Sequence, residues 1–169
     1  MNELLAKYPA EIQQIMAKYP ADHPQAAVMP LLYLAQRELG YITKQSIHEI
    51  SEITGLSATD VDSIIGFYTL FHEEPGGRYR LQVCTDLPCA MRGAQEFLDQ
   101  LCKNIGIKVG ETTPDGLFSI EEVKCLAGCD HAPLMQIQGD GDIVYHQDLT
   151  PARALKVLDA LRQASEELK

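Results

Sequence analysis

The sequence predicts an α+β chain: a helical bundle over residues 1–75, then a small layered α/β domain with a mixed sheet over residues 76–169. Three observations predict it. Apolar residues in the first part recur at helical spacing and are cut into short runs by Pro and Gly. The segment "HEEPGGRYR" then punctuates the chain with Pro75, Gly76 and Gly77, which places a domain boundary there. Beyond it the apolar pattern switches between periods of 2 and 3.6, in the order strand, helix, strand, strand, strand, helix.

The elements follow in order. "NELLAKYPAEIQQIMAKYP" carries Leu4, Leu5, Tyr8, Ile12, Ile15 and Met16 at helical spacing, with Pro9 as a helix start and Pro20 as its end. "PLLYLAQRELG" opens at Pro30 and closes at Gly40. "TKQSIHEISEITG" offers Thr43 as N-cap, Ile47, Ile50 and Ile53 on one face, and Gly55 as C-cap. "SATDVDSIIGFYTLF" opens with a capping box from Ser57 to Asp60. In the second part "RYRLQVC" alternates, with Tyr79, Leu81 and Val83 on one face. "PCAMRGAQEFLDQLCKNIG" reads as one helix with Ala90, Ala94, Phe97, Leu98, Leu101 and Ile105 inward. "GLFSIEEVKC" reads as a strand ending at Cys125, and "APLMQIQ" and "DIVYHQ" flank the hairpin signal "GDGD". "TPARALKVLDALRQA" starts a last helix with Thr150 as N-cap and Pro151 at its first position.

Bulk properties narrow the function. With 169 residues and 46% apolar content the chain can bury a core. A net charge of −10 argues against a nucleic-acid partner, because phosphate backbones call for Lys and Arg. No run of about 18 apolar residues is present, so no membrane insertion is expected. The start "MNELLAKYPAEIQQ" does not read as a signal peptide, which points to a reducing compartment and away from structural disulfides.

The cysteines then need another task. Four of the five form two close pairs, Cys84 with Cys89 and Cys125 with Cys129. Each pair falls where a strand ends. If the two strands lie parallel side by side, four sulfurs meet at one edge of the sheet. A redox dithiol calls for CxxC, and neither pair has that spacing. Structural zinc and a two-iron cluster both accept four thiolates. The surroundings favour the cluster: a helix N-terminus follows Cys84, Arg92 stands nearby, and Ala127 and Gly128 let backbone N–H groups approach. With every coordination position filled by cysteine, such a centre moves single electrons and makes no bonds.

At these stretches, "RYRLQVCTDLPCAMRGA" and "VKCLAGCDHAPLMQI", with "GFYTLF", "VGETTPDGLFSIEEV" and "DLTPARALKVLDAL" elsewhere, the chain resembles the thioredoxin-like [2Fe-2S] ferredoxin family. This is the family of the 24 kDa subunit of NADH:quinone oxidoreductase, respiratory complex I. The family's C-x4-C and C-x3-C stretches match Cys84, Cys89, Cys125 and Cys129 one for one. "CLAGC" stands where many relatives have "CLGAC", an exchange among small residues. The resemblance implies a thioredoxin-like domain after the helical region and one [2Fe-2S] cluster per chain held by those four cysteines. It implies a large flavoprotein partner that binds FMN and NADH, alongside other peripheral-arm subunits of complex I. It also implies electron transfer without independent catalysis, in the bacterial cytoplasm or on the cytoplasmic side of the inner membrane. Related modules serve NAD-linked hydrogenases and formate dehydrogenases, and that alternative stays open, as does a zinc-stabilised interaction module or a thiol oxidoreductase.

Other residues carry plainer readings. Cys102 is expected as a buried free thiol on the inward face of its helix. His131, two residues beyond Cys129, is expected to meet solvent or backbone. Phe67, Tyr68, Leu70 and Phe71 are read as internal packing between the two regions, with a docking surface as the alternative. "GETTPDG" lacks phosphate-loop spacing, and no dinucleotide fingerprint is present.

Overall fold

A computed structural model describes residues 3–167. The chain divides into two compact units, Met1–Pro75 and Gly76–Lys169.

The first unit is helical: α1 (Glu3–Lys7), α2 (Pro9–Met16), α3 (Val28–Leu39), α4 (Lys44–Thr54) and α5 (Ala58–Phe67). Local signals set most of their ends. Pro9 stands at the first position of α2, and Gly40 and Gly55 close α3 and α4 in the left-handed conformation. The Thr43 side chain accepts from the Ser46 N–H, and Ser57 and Asp60 form a reciprocal capping box. α3 starts two residues before Pro30, because a short 3₁₀ turn over Pro24–Ala27 feeds into it. Ile12, Leu31, Leu32, Ile50, Val61 and Phe71 belong to one apolar core. The buried Gln36 side chain donates to the Leu70 carbonyl and accepts from the His72 N–H, which ties the segment after α5 back to α3.

The second unit is a four-stranded mixed sheet with helices. It contains β1 (Tyr79–Cys84), α6 (Leu87–Met91), α7 (Ala94–Ile105), β2 (Phe118–Val123), β3 (Met135–Gly139), β4 (Asp142–His146) and α8 (Pro151–Glu167). The strand order is β2-β1-β3-β4. β1 runs parallel to β2 and antiparallel to β3, and β3 and β4 form a hairpin. Asp140 and Gly141 turn that hairpin at φ of 53° and 86°, the conformation a tight two-residue turn requires. Leu81, Val83, Ile120 and Met135 share one core with Phe97, Leu98 and Leu101 of α7 and Leu158 of α8.

Three expectations change here. Cys125 lies two residues beyond the end of β2, not at its last position. The long helix expected over 88–105 is two helices, because Gly93 adopts φ 86° between them, and Ala90 is exposed as a result. β1 alternates in sequence, yet all six of its residues are buried. Its polar residues are accommodated by partners: Arg80 and Gln82 both donate to the Glu121 carboxylate, and Gln136 donates to Gln82. A central strand covered on both faces keeps polar side chains only where they are hydrogen-bonded.

Candidate metal centre

The parallel register sets Cys84 of β1 beside Val123 of β2, so both strands end at the same edge of the sheet. The chain leaves β1 through Thr85 and Asp86 and enters the five-residue helix α6, where Cys89 sits. Asp86 caps this helix by accepting from the Leu87 N–H, and Pro88 stands in its first turn. On the other side the chain leaves β2 through Lys124 and reaches Cys125 at φ 60° and Ala127 at φ 57°. Cys129 opens a single 3₁₀ turn, Cys129–His131, before the cis Ala132–Pro133 bond leads into β3.

Cys84 and Cys89 are buried, Cys129 is half-buried and Cys125 is exposed. Cys84 and Cys89 pack with Ala94, Ala132 and Leu134, which form a small apolar floor beneath the edge. Burial works against a thiolate at Cys84. The backbone N–H groups of Asp86, Leu126 and Cys125, with the Cys89 thiol, outweigh it and hold the Cys84 pKa below the ordinary thiol value. Cys89 goes the other way. Burial, with hydrogen bonds and negative charge from Cys84 and Cys129, pushes it up to about 12. Cys84 is therefore the sulfur that accepts, and Cys89 is the thiol that donates to its neighbours.

The structure thus links Cys84, Cys89 and Cys129 through their sulfurs, and brings the backbone of Cys125 to Cys84 while the Cys125 side chain stays exposed. Among the described residues, no group of three or more His, Cys, Asp or Glu is arranged to hold a metal ion. The donor set still fits a thiolate-held cluster. It offers four cysteines where two neighbouring strands end, Cys84 at the end of β1, Cys89 in α6, and Cys125 and Cys129 beyond β2, with several N–H groups aimed at the Cys84 sulfur.

The N–H donors are not those expected. α6 is too short to supply much of a helix dipole, and the donors come from both loops instead. Arg92 donates through Nε to the Ala132 carbonyl, tying the end of α6 to the second loop. Three further features went unread in the sequence. Leu134 forms the buried floor, a role visible only once the fold is known. The Asp86 cap carried a signal, the "DLP" run, which has the form of a helix N-terminus. Thr85, Glu122 and Lys124 are joined by hydrogen bonds where β1 and β2 end.

Of the remaining residues, Cys102 is half-buried, with its pKa raised by burial and by Asp99. His131 contacts a carboxylate, with Nδ1 at 3.1 Å from Asp148. Phe71 is buried in the helical core, and Phe67 is 77% exposed.

Comparison with known proteins gives a consistent family. A family model described as thioredoxin-like [2Fe-2S] ferredoxin matches residues 12–162. The NADH-quinone oxidoreductase subunit 2 of Thermus thermophilus is 41% identical over 162 residues, covering 96% of this chain and 82% of that protein. An NADH-quinone oxidoreductase subunit of Rhizobium meliloti is 40% identical over 140 residues, covering 83% of this chain and 81% of that protein. Among solved structures, an NAD+-reducing [NiFe]-hydrogenase in its H2-reduced state aligns with a TM-score of 0.67 at 21% identity. That alignment covers 80% of this chain and 22% of the hydrogenase chain, and the likeness is one of fold.

Proposed function

The chain belongs to the thioredoxin-like [2Fe-2S] ferredoxin family, and from that premise we propose that it is an electron-transfer subunit of NADH:quinone oxidoreductase. In this reading it carries one [2Fe-2S] cluster beside the FMN of a partner flavoprotein that oxidises NADH. Cys84, Cys89, Cys125 and Cys129 are the ligands. When bound, the cluster takes up and returns one electron at a time.

One observation carries the reading: two parallel strands end in register, β1 at Cys84 with Cys89 following in α6, and β2 just before the segment that bears Cys125 and Cys129. The chain's own residues then have defined tasks. Leu134, Ala94 and Ala132 exclude water beneath Cys84 and Cys89. The N–H groups of Asp86, Leu126 and Cys125 stabilise negative charge on the Cys84 sulfur. Leu87 and Met91 flank Cys89 on α6 and are 71% and 81% exposed, an apolar rim that suits contact with the flavoprotein. NADH oxidation belongs to that partner. In this reading the subunit sits on the cytoplasmic side of a membrane complex through protein partners; among the described residues no helix is long and apolar enough to cross a membrane.

The test is metal analysis of anaerobically purified full chain. It should hold about two irons and two labile sulfides per chain and show a reduced-state paramagnetic signal. Cys84→Ala, Cys89→Ala, Cys125→Ala and Cys129→Ala should each lose that signal, while Cys102→Ala keeps it. One zinc per chain, or a bleached Cys102→Ala protein, would overturn the assignment. Co-purification decides the assembly: a nickel-containing partner in place of a quinone-reducing complex would move the subunit to a soluble NAD-linked hydrogenase.

A further inference from the structure

The second unit has a cleft that none of the four paired cysteines lines. It lies between the end of β4 and the first turns of α8 and has a volume of about 390 Å³. That is the size of an ordinary small-molecule site. Its walls are of two kinds. Tyr145, Leu149 and Val157 give apolar surface, and His146, Arg153 and Lys156 bring nitrogen groups. Arg153, Lys156 and Val157 reach one cleft because residues three and four apart share a helix face.

The charge at this cleft differs from that of the rest of the chain. The net charge is −10, and Arg37, Arg78, Arg80 and Arg162 each pair with a carboxylate. Among the described residues Arg153 and Lys156 pair with none. The acidic groups nearest to them in sequence are engaged elsewhere: Asp148 contacts His131, and Asp159 accepts from Arg162. Arg153 donates through Nη1 to the Asp148 carbonyl at 2.7 Å, which steadies the planar guanidinium and leaves its other donors for a ligand. The end of α8 is not itself the attraction, since Thr150 Oγ1 already accepts from the Arg153 N–H.

We propose that this cleft binds a nucleoside monophosphate, its phosphate between Arg153 and Lys156 and its base against Tyr145. A phosphate monoester carries a charge of about −1.5 to −2 at neutral pH, which two cations match. The guanidinium fork fits two phosphate oxygens, and the ammonium acts as a point charge beside it. Tyr145 is exposed, so its ring is open to stacking by a base. Burial holds the His146 pKa below the ordinary histidine value, so the ring is neutral at pH 7. A neutral imidazole has one donor and one acceptor, the set that ribose hydroxyls require. Inorganic phosphate would use only the cationic wall, and a nucleoside only the apolar one.

Calorimetric titration of the full chain with adenosine monophosphate, inorganic phosphate and adenosine tests this. Adenosine monophosphate should saturate one site per chain and bind at least about tenfold more tightly than either of the others. Lys156→Gln removes a cation that makes no ion pair within the described chain, so the fold is retained; it should weaken the nucleotide at least about tenfold, as should Arg153→Gln. Tyr145→Ala should bring the nucleotide down toward inorganic phosphate. Lys18→Gln removes the same charge from an exposed site in the first unit and should change nothing. No saturable binding of adenosine monophosphate at millimolar concentration would overturn the proposal. So would a nucleotide that binds no more tightly than phosphate, or one that is unaffected by Lys156→Gln, or one weakened equally by Lys18→Gln. The heat of binding does not report on iron, so this outcome is separate from that of the cluster assignment.

Discussion

Gly128→Ala is the substitution most informative about the second cysteine loop. Gly128 has φ −122°, backbone that any residue adopts, so its cost is one of space alone. An added Cβ would lie 2.7 Å from Leu134 Cδ1, about 0.7 Å inside the 3.4 Å at which ordinary contact begins. Leu134 is fully buried and packed with Cys84, Cys89, Ala94 and Ala132, so it has no solvent to swing into. Either the leucine or the loop must move. Overpacking of this kind costs about 1–3 kcal/mol. For a unit of this size that lowers the melting temperature by about 5–20 °C. The assay is calorimetric melting of the full chain together with its iron content, for Gly128→Ala, Leu134→Val and the double variant. Each single change should destabilise. The double should be less destabilised than their sum by about 1 kcal/mol, because the shorter valine makes room for the new methyl group. Iron should fall in Gly128→Ala and recover in the double. Strict additivity, or a Gly128→Ala protein with unchanged melting and full iron, would refute the packing argument.

Three other substitutions probe the frame that holds the loops. Gly77→Ala would bring a Cβ to 2.4 Å from the Phe118 carbonyl carbon and 2.5 Å from the Ser119 nitrogen, so β2 itself must shift; urea unfolding should show a loss above about 3 kcal/mol. Arg80→Ala leaves the Glu121 carboxylate without its nearby cation and should cost about 3 kcal/mol by the same measurement, with Arg80→Met costing less through retained packing. Asp140 is opposed by burial, but hydrogen bonds from Arg78 and Tyr79 outweigh this and hold its pKa below the usual carboxylate value. A depressed folded pKa gives stability that is complete above the unfolded value of about 4 and is lost as pH falls through the folded one. Asp140→Asn should therefore shrink the stability difference between neutral and acid pH, measured by urea unfolding at each.

Local signals proved readable and long-range ones did not. Thr43, Gly55, the Ser57–Asp60 box and Thr150 are set by hydrogen bonds within three or four residues, so the sequence alone places them. The "GDGD" turn is equally local, since Asp140 and Gly141 supply the positive φ values it needs. The run 88–105 misled because its apolar positions keep helical phase through Gly93. Only the turn there, with Gly93 donating to the Ala90 carbonyl, breaks it into α6 and α7. Arg80 and Gln82 misled in another way. Alternation predicts a solvated face, but their partner Glu121 comes from a strand about forty residues away. The four cysteines were legible as two pairs by spacing. Their unequal exposure was not, because it depends on Leu134 and on the backbone beyond β2.

That inequality reflects how the two cysteine segments are held against each other. The first loop is conventional: a capped short helix with Cys89 buried against an apolar floor. The second is strained, since Cys125 and Ala127 both hold positive φ, which costs on the order of 1 kcal/mol each. Such backbone persists only where other interactions over-determine it. Here the compensating contacts are the Cys125 and Leu126 N–H groups on the Cys84 sulfur, together with Arg92 on the Ala132 carbonyl. Both reach from one loop to the other. The strain in the second loop is thus held by the first loop's sulfur, and more strongly the more negative charge that sulfur carries. A residue that relaxes position 127, such as Gly, would remove the strain but also loosen the constraint that directs those amides. The left-handed alanine is therefore tied to the amides that reach the Cys84 sulfur, where its cost is offset.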